Sequence, residues 1–418
     1  MIYFWDLTNK CNLNCKYCYN IKIKHFKNAS DSIDSINKII ENIKPNSHVH
    51  LLGGEPTLAN NFDYILTKLN QNRNEISLVT NATNINDKLL ELLKGNNVNY
   101  VIVSIDGFDS TSNRLLRNIR NTDKYYENIK KLNTYCYGTK IIVNTVISNY
   151  NYNEIRSLFS TYNKLKLTSV TFNRVSGNDK DYSLSNKQWI ESIYKISEES
   201  LKYEHINIQI NTTPLIIDYL NNKYNINMNK YVSICPIYEN RDILYIRNDG
   251  KSFLCTDWEK LDKLFKEKNM EILSESLDKY RLKLLESKPI KNYKNCYCSS
   301  CIFSNRCKKC PLEDSSYEDI NDCYELLSSW QNNFNIKLKH GTIKLNEGIK
   351  EEKVNGTYKI FDNEDGLIAH FKISILELIH RINQNKHIND SMVCLLFYLF
   401  YKGVLIYEIN WRNKKSVY

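Results

Sequence analysis

The chain opens with Ile2-Tyr3-Phe4-Trp5-Asp6-Leu7, a β-rich run, and passes directly into Thr8-Asn9-Lys10-Cys11-Asn12-Leu13-Asn14-Cys15-Lys16-Tyr17-Cys18. Outward from this strand and its thiol-bearing loop, short β-rich runs alternate with amphipathic stretches of helical period. The runs Ile2–Leu7, His48–Leu52, Ile76–Thr80, Tyr100–Ile105, Lys140–Ile147 and Leu167–Arg174 read as strands. Helices are expected near Ser32–Ile43, Asn61–Gln71, Asn86–Leu93, Asp123–Tyr135, Asn153–Lys164 and Asn186–Lys202. Repeated βα units make an α/β chain with a parallel sheet. Six of them are too few to close an eight-stranded barrel, so the expectation is a partial (β/α)6 TIM-like barrel with its site at the C-terminal ends of the strands.

Cys11, Cys15 and Cys18 stand in C-x3-C-x2-C spacing, which one loop can wrap around a single cluster. Three thiolates leave one iron of a 4Fe-4S cluster unfilled, and an open iron can take the amine and carboxylate of an amino acid. A zinc site would want a fourth protein ligand beside the three cysteines, and no fourth Cys stands in this loop.

Three further stretches follow the next strands in order: Leu51-Leu52-Gly53-Gly54-Glu55-Pro56, Thr80-Asn81 and Ser104-Ile105-Asp106-Gly107. With the cysteine loop, and with Tyr17 as the aromatic residue before its third cysteine, they resemble the radical SAM superfamily across the first half of the chain. The resemblance implies a cluster on Cys11, Cys15 and Cys18 that binds and cleaves S-adenosylmethionine to give a 5'-deoxyadenosyl radical. It implies that Gly53 and Gly54 let backbone approach the methionine part while Glu55 takes its ammonium. Asn81, Ser104 and Asn144 would line the cofactor pocket, and Arg114 or Arg117 would pair with the cofactor carboxylate. Ser112-Asn113 stands where relatives often have His-Asp, which shifts the spacing to that arginine.

A second array follows: Cys235, Gly250, Cys255, then Cys298-x2-Cys301-x5-Cys307-x2-Cys310, then Cys323. It resembles the SPASM extension of radical SAM enzymes, which implies two auxiliary 4Fe-4S clusters and three clusters in all. By position, Cys298, Cys301, Cys307 and Cys323 would hold one, and Cys235, Cys255 and Cys310 the other. The second set counts three ligands, so its cluster has an open iron unless Cys296 fills it. Paired C-x2-C motifs are also the pattern of a zinc ribbon. Asp257, beside Trp258, is a candidate base. Cys136 and Cys394 read as small buried hydrophobes.

These patterns divide the chain into a partial barrel over 1–210, a small cysteine-rich α+β SPASM domain over 211–327 with a helix near Asp278–Leu285, and a C-terminal α+β region over 328–418. In the last, a strand from Lys353 with a turn at Asn363-Glu364-Asp365-Gly366 precedes helices Ser374–Ile382 and Ser391–Tyr401 and a strand Val404–Ile409. A small winged-helix arrangement fits, and it resembles the leader-peptide recognition domains that accompany peptide-modifying radical enzymes. A structural cap is the plainer alternative.

The 13 cysteines, without an export signal at the N-terminus, point to reduced metal ligands and a cytoplasmic protein. The longest apolar stretch, Met392–Tyr401, is too short to span a membrane. The formal charge of +10 comes from lysines scattered among Asn, Ile and Tyr, which gives no nucleic-acid groove.

By resemblance the expected function is maturation of a ribosomally made precursor peptide through a thioether or carbon–carbon cross-link, fed by a reductant such as flavodoxin or ferredoxin. The open auxiliary iron favours the thioether. A sulfatase maturase is the alternative, but relatives of that kind place Asp directly after the cysteine where Thr256 follows Cys255 here. A non-catalytic electron-transfer or binding protein is the third reading, and it has no use for an open iron.

Overall fold

The expected strands lie side by side in chain order as parallel rungs of one sheet: β1 (Ile2–Asp6), β2 (His48–Leu52), β3 (Glu75–Thr80), β4 (Val98–Ser104), β5 (Lys140–Ile147) and β6 (Ser169–Arg174). A seventh parallel strand, β7 (Asn207–Ile210), pairs with β6. At the other edge β8 (Ile243–Ile246) runs parallel to β1 and carries the antiparallel β9 (Ser252–Phe253), so the order is β7-β6-β5-β4-β3-β2-β1-β8-β9. The structure is a computed structural model that describes residues 1–409 apart from 136–137, 176–180, 211, 213, 225–241, 256–321, 340, 362–366, 372, 386 and 389.

Period-two alternation along each strand splits the side chains between two faces. Tyr3 and Trp5 of β1, Val49 and Leu51 of β2, and Val101 and Val103 of β4 are buried, each 1% exposed or less. Phe4, His50 and Ile102, one residue out of step, line a cavity on the other face. The helices are α1 (Ile33–Glu41), α2 (Phe62–Gln71), α3 (Asp87–Gly95), α4 (Ser110–Arg117), α5 (Thr122–Tyr135), α6 (Ile155–Lys164) and α7 (Asn186–Lys202). Polar side chains start several of them: Ser32, Asn86 and Ser185 each accept a first-turn N–H. Helix α4 was not expected. It begins at a capping box in which the Asp109 carboxylate accepts the Ser112 N–H while the Ser112 hydroxyl accepts that of Asp109.

The described residues form two compact units. The first holds residues 1–212 with β8 and β9, and the second holds α8 (Pro214–Tyr224) with the described residues from 322 onward. Strands β8 and β9, inside the range expected for a separate cysteine-rich module, thus belong to the barrel sheet. In the second unit, α9 (Asp322–Leu338), α10 (Ile375–Asn385) and α11 (Asp390–Tyr401) accompany a two-stranded sheet, β10 (Gly341–Leu345) with β14 (Leu405–Ile409). A three-stranded antiparallel sheet is built from β11 (Lys350–Val354), β12 (Thr357–Phe361) and β13 (Leu367–Phe371). Trp330 stacks on Phe334 at 4.9 Å and meets Phe397 edge-on, which joins α9 to α11. Glu351 on β11 caps α10, accepting from the Ser374 hydroxyl at 2.6 Å and the Leu376 N–H at 3.2 Å. The expected helices and final strand are present as α10, α11 and β14, but where one strand from Lys353 with a turn was expected there are three antiparallel strands.

Cys235, Cys296, Cys298, Cys301, Cys307, Cys310, Asp257, Cys136, the helix near Asp278–Leu285 and the turn at 363–366 lie outside the described residues. Cys323 falls on α9, but its side chain is likewise outside them.

Candidate cofactor site

Strand ends of the first sheet frame one cavity of about 940 Å³, lined among others by Cys11, Cys15, Tyr17, Cys18, Gly53, Gly54, Asn81, Ser104, Arg117 and Asn144. The loop after β1 and the turn after β2 are laced together along their backbones. Gly54 N–H donates to the Thr8 carbonyl at 2.8 Å, and Glu55 N–H to the Lys10 carbonyl at 2.8 Å. No side chain fits between them: a Cβ on Gly54 would sit 2.3 Å from the Lys10 carbonyl oxygen, and Gly53 has φ +135° with a Cβ position 2.7 Å from that of Thr8. The glycines are therefore required where the thiol loop closes onto β2.

All three loop cysteines are free thiols on this cavity. Burial pushes each above the ordinary cysteine value. Among the described residues no three His, Cys, Asp or Glu side chains converge on a single-ion position. Three free thiols on one cavity, with backbone brought close by glycine, are a donor set that fits a cluster with one open iron.

Asn81 ties the end of β3 to that loop. Its side-chain amide donates to Asn12 Oδ1 at 2.8 Å and lies 3.9 Å from Cys11 Sγ, and its backbone N–H donates to Glu55 Oε2 at 2.8 Å. Glu55 stands differently from expectation. Its carboxylate does not line the cavity; it is 1% exposed and accepts from the hydroxyls of Thr57 and Thr80, both at 2.8 Å. Burial pushes this carboxyl up, and the hydrogen bonds from Asn81 and the threonines pull part of that back. In this arrangement Glu55 braces the floor under the glycines and fixes Asn81.

The two candidate arginines separate. Helix α4 buries Asn113, Leu116 and Arg117, an i, i+3, i+4 stripe, and leaves Arg114 exposed and off the cavity. Arg117 is 9% exposed, and its Nη1 lies 2.6 Å from Asp106 Oδ2. The Tyr17 hydroxyl donates to that same oxygen, and Asp106 Oδ1 accepts the Val146 N–H at 2.6 Å. Burial works against the Arg117 charge, but neighbouring Cys15 and Asp106 more than offset it and hold the guanidinium well above its ordinary value. Its Nε has no partner among the described residues. Asp106, fully buried, was visible in the sequence only as part of a motif; a carboxylate ending a strand eleven residues before an arginine was the available signal.

On the far wall, the Asn173 amide donates to Asn144 Oδ1 at 2.6 Å. On the near wall His50 is sandwiched between Phe4 at 4.6 Å and His48 at 4.1 Å, and burial lowers its pKa to about 3. The cavity thus carries a neutral imidazole, which the sequence reading did not single out. Cys255, after β9, is partly exposed and does not line this cavity. Among the described residues no helix is long and apolar enough to cross a membrane.

Residues 5–161 match the family model for the Radical SAM superfamily. An S-adenosylmethionine-dependent nucleotide dehydratase from Fibrobacter sp. (strain UWH6) is 30% identical over 166 residues, 36% of this chain and 49% of that protein. Radical SAM cyclopropyl synthase TigE from Paramaledivibacter caminithermalis is 34% identical over 183 residues, 38% of each chain. The chain thus spans half or less of the length of these relatives. The crystal structure of Streptococcus suis SuiB shares the fold with a TM-score of 0.56 at 19% identity, covering 75% of this chain and 76% of that one. SuiB has also been solved bound to precursor peptide SuiA.

Proposed function

We propose, from the match of residues 5–161 to the Radical SAM superfamily model, that this chain is a radical SAM enzyme and a peptide maturase that abstracts hydrogen from a ribosomally made precursor. The observation that carries the reading is the meeting of three free thiols, the paired glycines, Asn81 and Arg117 on one cavity at the strand ends. When bound, a 4Fe-4S cluster on Cys11, Cys15 and Cys18 supplies the electron that splits S-adenosylmethionine into methionine and a 5'-deoxyadenosyl radical.

The chain's own residues hold and orient. Gly53 and Gly54 admit the methionine part against bare backbone, and Arg117, anchored by Asp106 on the cavity wall, pairs with the carboxylate. Ser104 and Asn144 bond the polar rim of the nucleoside, while Leu52, Val79 and Ile102 keep water from the reacting carbon. Auxiliary clusters on Cys235, Cys255, Cys298, Cys301, Cys307, Cys310 and Cys323 would receive the substrate electron, with Asp257 as a base.

The peptide reading draws support from the fold shared with SuiB, which binds its precursor peptide, and from the three-strand, two-helix order of the second unit, which fits a recognition domain that grips a leader as an edge strand. The product is a thioether or a carbon–carbon cross-link. Incubating the reduced, reconstituted protein with peptides encoded beside its gene tests this by mass spectrometry. Loss of two hydrogens from a peptide, with matching 5'-deoxyadenosine, is expected; no change in any peptide while a nucleotide is consumed would move the assignment to the nucleotide dehydratases.

A further inference from the structure

Strand register places Ser104 opposite Asn144, Asn144 opposite Thr171, and Thr171 opposite Gln209, and all four line the cavity. They form one continuous row of neutral hydrogen-bonding side chains across β4, β5, β6 and β7. With strands about 4.8 Å apart the row is about 14 Å long, the length of roughly four residues of extended peptide. It starts at Ser104, beside the proposed cofactor, and ends at Gln209 on the edge strand β7, where that side chain is exposed. Thr171 Oγ1 and Gln209 Oε1 are only loosely paired at 3.5 Å, and the Gln209 amide nitrogen has no partner among the described residues.

The charge of the cavity is as informative as its polarity. Among the described residues no Lys, Asp or Glu lines it, and the cations there are Arg117, already paired with Asp106, and Arg174, whose guanidinium donates to the Leu184 carbonyl. A nucleoside triphosphate would bring several negative charges to a wall built of amides and hydroxyls, and an unmatched charge there is costly. Uncharged amides, which both donate and accept, match the row group for group.

We propose that Thr171 and Gln209, the outer part of this row, form a subsite that holds an uncharged, extended segment of a peptide substrate, entering over β7 and led along the row to the reacting centre, where Asn144 and Ser104 face the cofactor. The inference rests on the peptide reading above and gives that substrate its chemistry: neutral residues around the attacked position, read largely through backbone amides.

The test uses the full-length reconstituted protein and blocked tetrapeptide probes: acetyl-Gly-Asn-Gly-Asn-amide, its Asp and Lys counterparts, and GTP. Binding is read by ligand-observed saturation-transfer NMR. The neutral peptide binds best, and a Thr171→Val, Gln209→Leu double variant weakens it about tenfold through one neutral hydrogen bond lost at each of two positions. Gln209→Glu moves the preference to the Lys peptide, and thermal melts confirm that each variant folds. Tighter binding of GTP or of the acidic peptide, no binding of the neutral one, or affinity unchanged in folded double variant overturns the subsite. Neutral-peptide binding that follows these expectations in a protein that never yields 5'-deoxyadenosine sinks the radical assignment and leaves the subsite standing.

Discussion

At Asp106 three elements share one carboxylate: Tyr17 from the thiol loop, Arg117 from α4 and the Val146 N–H from β5. Removing that carboxylate strands a buried guanidinium. Asp106→Ala is expected to cost about 3–5 kcal/mol of stability in urea denaturation, the usual penalty for breaking a buried ion pair from one side. Arg114→Ala, on the exposed side of the same helix, should stay within about 0.5 kcal/mol and leave S-adenosylmethionine binding unchanged. The thiols of this site were legible from their C-x3-C-x2-C spacing, and the glycines from the resemblance that the ordered motifs carry. The choice between Arg114 and Arg117 was not legible, since it depends on the angle at which a short, unexpected helix meets the sheet. Nor was the burial of Glu55, which follows from Thr57, Thr80 and Asn81 closing around it.

Among the elements, the turn after β2 is the least forgiving. Gly54→Ala drives a Cβ into the Lys10 carbonyl, and the thiol loop must move, so iron retained after reconstitution should fall sharply. Gly95→Ala, at the end of α3 with nothing within 4 Å, should be neutral or stabilise by about 0.4–1 kcal/mol, measured by thermal denaturation. Strand β8 is bound to β1 through Tyr245, whose hydroxyl donates to Asp6, and burial raises the Asp6 pKa to about 7 while its Oδ1 finds no partner among the described residues. Between pH 4 and 7 the folded protein therefore keeps a proton that the unfolded chain has lost, and stability falls as pH rises through that window. Asp6→Asn cannot lose that proton. Its melting temperature relative to the parent should climb from pH 5 to pH 8; a pH-independent difference would contradict the assignment. Strands β1 to β6 were readable from local β-rich runs, and β2 and β5 kept their expected bounds. Strands β7 and β8 have four residues each, and nothing local in Ile243-Leu244-Tyr245-Ile246 announces a partner more than two hundred residues earlier. Helix α4 was missed for another reason: Ser-Thr-Ser-Asn are weak helix formers, and the capping box at Asp109 carries its start.

Across the whole molecule, the order of motifs along the chain becomes adjacency in space because every βα unit returns the chain to the same edge of the sheet. Parallel strands gather the residues that follow them at one end, so loops at 11–18, 53–55, 80–83 and 104–107 face one another despite their separation. This is why residues read from separate short motifs line one cavity, while α8 falls in the C-terminal unit and β8–β9 in the barrel sheet. The measurement that bears most directly on the central claim is anaerobic. The protein is reconstituted with iron and sulfide, and 5'-deoxyadenosine is assayed with and without dithionite beside a Cys11, Cys15, Cys18 triple alanine variant. The account predicts reductant-dependent 5'-deoxyadenosine from the parent, and in the variant its complete loss together with about four irons per chain. Zinc in place of iron, or an iron-loaded parent that leaves S-adenosylmethionine intact under reductant, would contradict it.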